Sequence, residues 1–358
     1  MGVVTGAVLV AACAQPAAQS RQSSSGTAGS SASASPTAET LIVLADRPQS
    51  ASAPTVLHLV RLDGTEANRL TVKAGATVTS ARGSRIFVME PGALKALGRD
   101  GTVEDLNSLD ASAQLGTLVA SPDGNTWLWA SYDNSGQGTV YVGSKGKAAR
   151  VVEQSRENAR GVRPFSWTQR GPVIEHGAVG IGGYIIYYTA TGPVDLVEPV
   201  SGKVTPLNVP GNCSFSDLST DGTIACFPAN TTGHSLTLIA GNGKATSVAL
   251  PADRFAREGA AYFSPNNDQL TVGGATGAGP GQEQYAADLV KTGDGSVKPV
   301  SVDGVRPGDG TWTWLSDGSL IVYRPQFAST APGVWLVRPD GSTTKLAASG
   351  DPIGVLTS

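Results

Sequence analysis

Seven X-Gly pairs punctuate the chain: Asp63-Gly64, Asp100-Gly101, Lys145-Gly146, Ser201-Gly202, Asn242-Gly243, Asp294-Gly295 and Asp340-Gly341. Each lies between short apolar runs, and successive pairs stand between 37 residues (63 to 100) and 56 residues (145 to 201) apart. Glycine reaches φ > 0 at no steric cost, so such a pair between apolar runs is a strong hairpin signal. A second kind of turn alternates with the first, at Ala81–Ser84, Ser121–Gly124, Thr168–Gly171, Ser219–Gly222, Pro265–Asp268 and Ser316–Gly318. The stretch Gly116–Val152 shows one unit whole. Thr117–Ser121, Asn125–Ala130, Thr139–Val142 and Ala148–Val152 read as four strands, and Ser121-Pro122-Asp123-Gly124 suits a type I turn because Pro pre-sets φ. Four strands at a period of about 40–50 residues point to a β-propeller.

The second kind of turn occurs once less often than the first. Ile353–Ser358 reads as an inner strand that stops, and Leu41–Ala45 as a second strand with no first. Joined, they complete one blade from both chain ends and leave no sheet edge unfinished. The fold expected is therefore all-β: a seven-bladed β-propeller of four-stranded antiparallel blades, closed by pairing the C-terminal strand with the N-terminal blade. Between Arg163 and Leu207 there is one strand-like run too many among Phe165–Trp167, Val173–Glu175, Tyr184–Tyr188, Val194–Val197 and Val204–Leu207, which predicts an inserted hairpin or a long ordered loop in this unit. The alternative there is an irregular Val173–Glu175.

The motif Ser121-Pro122-Asp123-Gly124, echoed at Ser219–Gly222, Ser264–Asp268 and Ser316–Gly318, resembles the repeat of the TolB-type, WD-repeat-like β-propellers of bacterial envelopes. The likeness covers residues 41–358 and implies the architecture. That superfamily hosts scaffolds, binding proteins and accessory domains of hydrolases, so the function it implies is broad. TolB itself carries an additional N-terminal α/β domain, for which this chain has only a linker.

Residues 1–12, MGVVTGAVLVAA, are apolar, and Val10-Ala11-Ala12-Cys13 resembles the bacterial lipobox, in which the Cys thiol carries a diacylglyceryl group. No Lys or Arg precedes the apolar run, so residues 1–12 read as an incomplete signal peptide whose start lies upstream. Residues 13–40 follow as the lipidated Cys and a Ser/Ala-rich tether too polar to offset its ordering entropy. A two-chain lipid anchors stably. The chain is thus expected outside the cytoplasm, lipid-anchored to the bacterial cell membrane.

A net charge of −3 favours neither nucleic acid nor an anionic membrane surface as partner. Cys213 and Cys226 flank the turn Ser219–Gly222 with matching parity, on one sheet face but diagonal to each other; a disulfide suits an exported protein but needs a six-residue loop or a local adjustment, and the alternative is two small buried residues. His58, His176 and His234 fall in three different units, so no metal site is called for, and His176 reads as an exposed loop residue. No Gly-x-Ser-x-Gly elbow appears. The turn at Ser121 is similar to the sialidase Asp-box but one residue short, and Asp195–Lys203 loosely echoes a quinone-propeller turn; no catalytic residue and no cofactor is assigned from either. Trp127/Trp129 and Trp312/Trp314 alternate on single strands and are expected to fill the core.

Both kinds of tight turn fall at one end of a propeller, so the longer connections gather at the other, where binding residues usually sit. Three of those connections carry Arg156, Arg160 and Arg163, then Arg254 and Arg257, then Arg306. These are six of the 17 Arg, with no Lys among them. Arginine without lysine suits bidentate recognition of carboxylate or phosphate. The plainer account pairs them with Glu157, Asp253, Glu258, Asp303 and Asp309 in the same loops. The leading function is a non-enzymatic, surface-tethered scaffold for a protein or envelope partner on the long-loop face. The alternatives are a propeller enzyme, either a glycan-active hydrolase or lyase or a quinone-dependent dehydrogenase, and a solute-binding protein using the central funnel.

Overall fold

The computed structural model describes residues 39–358 apart from 47–49, 51, 111–113, 134–135, 156–160, 178–188, 191, 229–233, 254–256, 277–283, 303–309, 325–331 and 358. Among the described residues there are strands and turns but no helix. The first strands are β1 (Leu41–Ala45), β2 (Thr55–Arg61), β3 (Glu66–Val72), β4 (Thr77–Arg82), β5 (Arg85–Glu90), β6 (Ala93–Leu97) and β7 (Val103–Ser108). Next come β8 (Gln114–Ala120), β9 (Thr126–Tyr132), β10 (Gly138–Ser144) and β11 (Lys147–Gln154), which form one four-stranded sheet. A second consists of β12 (Val162–Thr168), β13 (Gly171–His176), β14 (Val194–Val197) and β15 (Val204–Pro206). A third consists of β16 (Cys213–Leu218), β17 (Ile224–Pro228), β18 (Ser235–Ile239) and β19 (Ala245–Ala249). The fourth holds β20 (Arg257–Phe263), β21 (Gln269–Thr276), β22 (Gln284–Lys291) and β23 (Val297–Pro299). The fifth holds β24 (Gly310–Trp314), β25 (Leu320–Arg324), β26 (Gly333–Val337) and β27 (Thr343–Ala347), and β28 (Asp351–Leu356) ends the chain.

β28 pairs antiparallel with β1, from Leu41↔Leu356 to Ala45↔Asp351. It also touches β4 through the single parallel pair Gly354↔Ala81, so that β3-β2-β1-β28 and β4–β7 run together as one eight-stranded sheet. Only glycine permits that approach, because a Cβ at 354 would lie 2.0 Å from the Ala81 carbonyl oxygen. In the unit between Arg163 and Leu207, Val173–Glu175 is regular strand, while Tyr184–Tyr188 lies outside the described residues.

The X-Gly pairs close the hairpins β2–β3, β6–β7, β10–β11, β14–β15, β18–β19, β22–β23 and β26–β27, with their glycines at φ between 68° and 87°. Asp63, Asp100, Asp294 and Asp340 each accept the N–H two residues on, at 2.8–3.0 Å. The turn thereby satisfies itself. Two of the other turns close on a serine in the same manner: Ser121 donates to Asp123 and accepts from Thr126 N–H, and Ser219 does the same with Asp221 and Thr223.

A feature absent from the sequence reading recurs in β4, β8, β12, β16, β20, β24 and β28. Each carries one more residue than its partner strand at a β-bulge, at Thr79, Gly116–Thr117, Phe165, Ser216, Gly259–Ala260, Trp312 and Ile353 respectively. The Trp312 side chain lies outside the described residues.

The core lies between sheets. Phe87, Met89 and Leu94 pack on Trp127 and Trp129, with Phe87 and Trp127 rings 5.7 Å apart. Leu128, Ala130 and Val140 meet Val162, Ile174 and Val197. Ile42, Leu44 and Val60 meet Leu315, Ile321 and Val334, joining the last sheet to the first. Cys213 and Cys226 form a disulfide with Cα atoms 5.6 Å apart. The register sets Cys226 opposite Phe215 and Cys213 opposite Pro228, so the bond crosses the ladder diagonally. Glu39, counted with the tether in the sequence, is held to the folded body by Arg61 and Arg99.

Candidate functional site

In each sheet the first-to-second and third-to-fourth connections share one end, because neighbouring strands are antiparallel. The longest connection at the opposite end is 177–193, between β13 and β14, and its base is polar and buried. Arg163 on β12 stands directly opposite Glu175 on β13. Its Nε and Nη2 donate to Glu175 Oε2 at 2.9 and 2.6 Å, and Glu175 is only 3% exposed. The other oxygen, Oε1, accepts the N–H of Gly192 at 3.3 Å, where the chain returns from the long connection. His176 N–H donates to Pro193 O at 2.8 Å and Gly177 N–H to Gly161 O at 3.2 Å, so both limbs of the connection are pinned. Just before its end, Ala190 exchanges two backbone hydrogen bonds with Phe215, on the edge of β16 that has no partner in its own sheet.

His176 is not an exposed loop residue. It is the last residue of β13, its side chain is 14% exposed, and Nε2 lies 2.8 Å from Asp195 Oδ2. Strand alternation explains this: residues 174 and 176 share a face, and Asp195 pairs with Ile174. Glu175 and His176 consequently point to opposite faces, and the two polar pairs brace the same strand from both sides. Tyr132 on β9 is nearby, and burial raises its phenol above the ordinary value. Its ring fits because Gly138 has no Cβ, which would lie 2.9 Å from Cε1.

Of the arginines singled out by the sequence, Arg163 is thus engaged with an acid on the adjacent strand, while Glu157 of its own loop lies outside the described residues. Arg257 opens β20 opposite Ala275, and its side chain lies outside the described residues. Arg156, Arg160, Arg254 and Arg306 also lie outside them. Among the described residues no three His, Cys, Asp or Glu side chains converge as a metal site.

A second polar group ties β16 to β20. The Ser216 hydroxyl, on the bulge, accepts Ala261 N–H at 2.6 Å and donates to Ala261 O at 3.0 Å. Asp217, 8% exposed, accepts Leu218 N–H and Phe263 N–H, both at 2.8 Å. Burial pushes the Asp217 carboxyl up to about 7, against the pull of those two donors. The folded state therefore keeps a proton that the unfolded chain releases near its ordinary value of about 4. This contribution to stability is complete below about pH 4 and is lost as pH rises towards 7. Asp217→Asn, which cannot ionise, should gain on the native protein in urea midpoint as pH rises across that window. A constant gap between the two would contradict the assignment.

No protein-family model and no curated protein matches the sequence. Solved structures do match. An oligogalacturonate lyase from Vibrio parahaemolyticus aligns with a TM-score of 0.54 at 9% identity, over 84% of this chain and 92% of its own. A candidate 6-phosphogluconolactonase from Bacteroides fragilis aligns with a TM-score of 0.53 at 14% identity, over 91% of this chain and 99% of its own. A candidate TolB from Agrobacterium tumefaciens aligns with a TM-score of 0.38 at 11% identity, over 89% and 93% of the two chains. The first two likenesses are of fold alone. With the sheet topology above, they give the described residues a β-propeller fold.

Proposed function

We propose that residues 41–358 are a seven-bladed propeller closed by β28, tethered outside the cytoplasm through a lipidated Cys13, and that it acts as a binding scaffold for a protein or envelope component. Five separate four-stranded sheets and the two halves of the eight-stranded sheet support the blade count. The packing of the last sheet on β1 and β2 supports the closure. Export is supported by the lipobox-like Val10–Cys13 and by the Cys213–Cys226 disulfide, since disulfides persist in oxidising compartments.

The observation that carries the scaffold reading is the use made of Glu175. This acid lies at the base of the longest connection, and both its oxygens hold structure: one binds the Arg163 guanidinium, the other the returning backbone at Gly192. A loop base braced in this way suits recognition by a preorganised surface. The Arg156, Arg160, Arg254, Arg257 and Arg306 side chains of the same end would meet an acidic partner.

Crosslinking of the full-length protein in envelope extract should capture a specific partner. Replacing Arg160, Arg254 and Arg306 together with Ala should abolish capture and leave the melting temperature nearly unchanged. Cys13→Ser should move the protein into the aqueous phase of a detergent extraction. Capture unimpaired in the triple variant would remove the arginines from the interface, and failure of the native protein to capture any partner would end the scaffold reading.

The second reading is a glycan-active propeller enzyme, favoured by the fold shared with an oligogalacturonate lyase. Turnover of a uronate-containing polysaccharide by residues 39–358 would establish it in place of the first.

A further inference from the structure

The seven X-Gly hairpins share one frame and differ in the residue at X. In four of them X is Asp63, Asp100, Asp294 or Asp340, each accepting the N–H two residues on. At the tip of the β18–β19 hairpin X is Asn242, and the turn is built in the same way. Asn242 Oδ1 accepts Lys244 N–H at 3.0 Å. Gly243 N–H closes on Ala240 O at 2.8 Å with φ at 82°, and Gly64, Gly101 and Gly341 close likewise at 87°, 85° and 84°. Residues 241–244 are all exposed, and a Cβ at Gly243 would meet nothing within 4 Å.

The amide carbon of an asparagine side chain is open to attack by the backbone nitrogen of the next residue. Glycine in that place hinders the attack least, because it has no Cβ. Asn242 is the only one of the 11 asparagines followed by glycine. Its turn also offers help: Lys244 N–H, already bound to Oδ1, stabilises the negative charge that develops on that oxygen during attack. The sister aspartates are protected from the same reaction. Hydroxyl and N–H hydrogen bonds from Thr65, Thr102, Ser296 and Ser342 hold their carboxyls below the ordinary range, and a carboxylate resists a nucleophile.

We propose that Asn242 deamidates in the folded protein, without an enzyme, and that the turn steers the product to an ordinary aspartate. Gly243 N bonds to Asn242 Cγ and loses its proton. The Cγ–Nδ2 bond breaks, and Nδ2 leaves as ammonia with that proton. Water then adds at Cγ of the cyclic imide and breaks the new bond to Gly243 N, which restores the main chain. The sum is asparagine plus water giving aspartate plus ammonia. Water adding at the main-chain carbonyl instead would leave isoaspartate, which lengthens the backbone by one carbon. That carbon fits badly in a hairpin paired without a break from Ser235↔Ala249 to Ile239↔Ala245. The aspartate keeps the Lys244 hydrogen bond, now charge-assisted, and matches its four sisters. It adds one negative charge at the tight-turn end of a chain of net charge −3, so an aged molecule differs from a new one.

The test incubates the full-length protein in mildly alkaline buffer, folded and in urea, and maps its peptides by mass spectrometry. In the folded protein Asn242 should reach half conversion, read as the mass gain from amide to acid, while the other ten asparagines stay intact. Aspartate should exceed isoaspartate in the folded protein, and the reverse should hold in urea. Asn242→Asp should melt at the native temperature. Asn242 left intact in the folded protein, whatever happens in urea, would overturn the proposal. Earlier conversion of any other asparagine, or one product ratio in both states, would do the same. A markedly lower melting temperature for Asn242→Asp would show that the turn does not seat an aspartate, which also overturns it.

Discussion

Removal of residues 351–358 should abolish cooperative unfolding: the truncated chain is expected to melt broadly, far below the native temperature, and to bind a hydrophobic dye. β28 is the strand that covers β1 along its whole length, and Leu41, Ile42, Val43 and Leu44 on β1 are each no more than 1% exposed. Loss of Leu356 and exposure of about half of Leu41 and Val43 alone amount to about 3–6 kcal/mol at 1.5–3 kcal/mol for each fully buried side chain. That is of the order of a whole domain's stability. A synthetic peptide of residues 351–358 added in trans should restore the transition by adding the missing strand. A truncated protein that melts as sharply as the native one would show that the two chain ends are not joined in this way.

The second large effect is expected at Arg163. Arg163→Ala leaves the Glu175 carboxylate buried without its guanidinium, a loss of about 3–5 kcal/mol where one partner of a buried pair is removed. Glu175→Gln introduced into that variant should recover a substantial part, because the uncompensated charge is gone. The coupling is measured by urea denaturation of the two single variants and the double. If Arg163→Ala stayed within about 1 kcal/mol of the native protein, the pair would be worth no more than an exposed one. The base of the 177–193 connection would then need another explanation.

The parts of this fold legible in the sequence are those governed by local chemistry. The X-Gly hairpins could be read because positive φ is a property of single residues, and the same holds for the Ser-x-Asp turns. Pairing of β28 with β1 was readable from a different argument, a surplus strand at each end of the chain. The site was less legible. His176 is partly buried because Asp195 sits diagonally across from it, and the 17 residues of the connection 177–193 hide the register. Arg163 was visible as an arginine, but its partner Glu175 lies across a hairpin and not within the same loop. The bulges were invisible for a similar reason. Thr79, Phe165, Ser216 and Ile353 share no composition, and an extra residue on one strand leaves no mark unless the opposite strand is aligned with it.

Those bulges bear on a hazard peculiar to chains of similar units. While such a chain folds, any first strand could pair with the second strand of another copy, or with a neighbouring molecule through its open edge. Straight strands would make many of these mismatches nearly as good as the correct one. A bulge fixes one register, because a partner shifted by a single residue meets the kink in the wrong place. It also spoils the open edges of β8, β12, β16, β20 and β24 as templates for a strange strand. The irregularity within each repeat thus serves as proofreading: it lets copies that look alike be told apart before the sheets close.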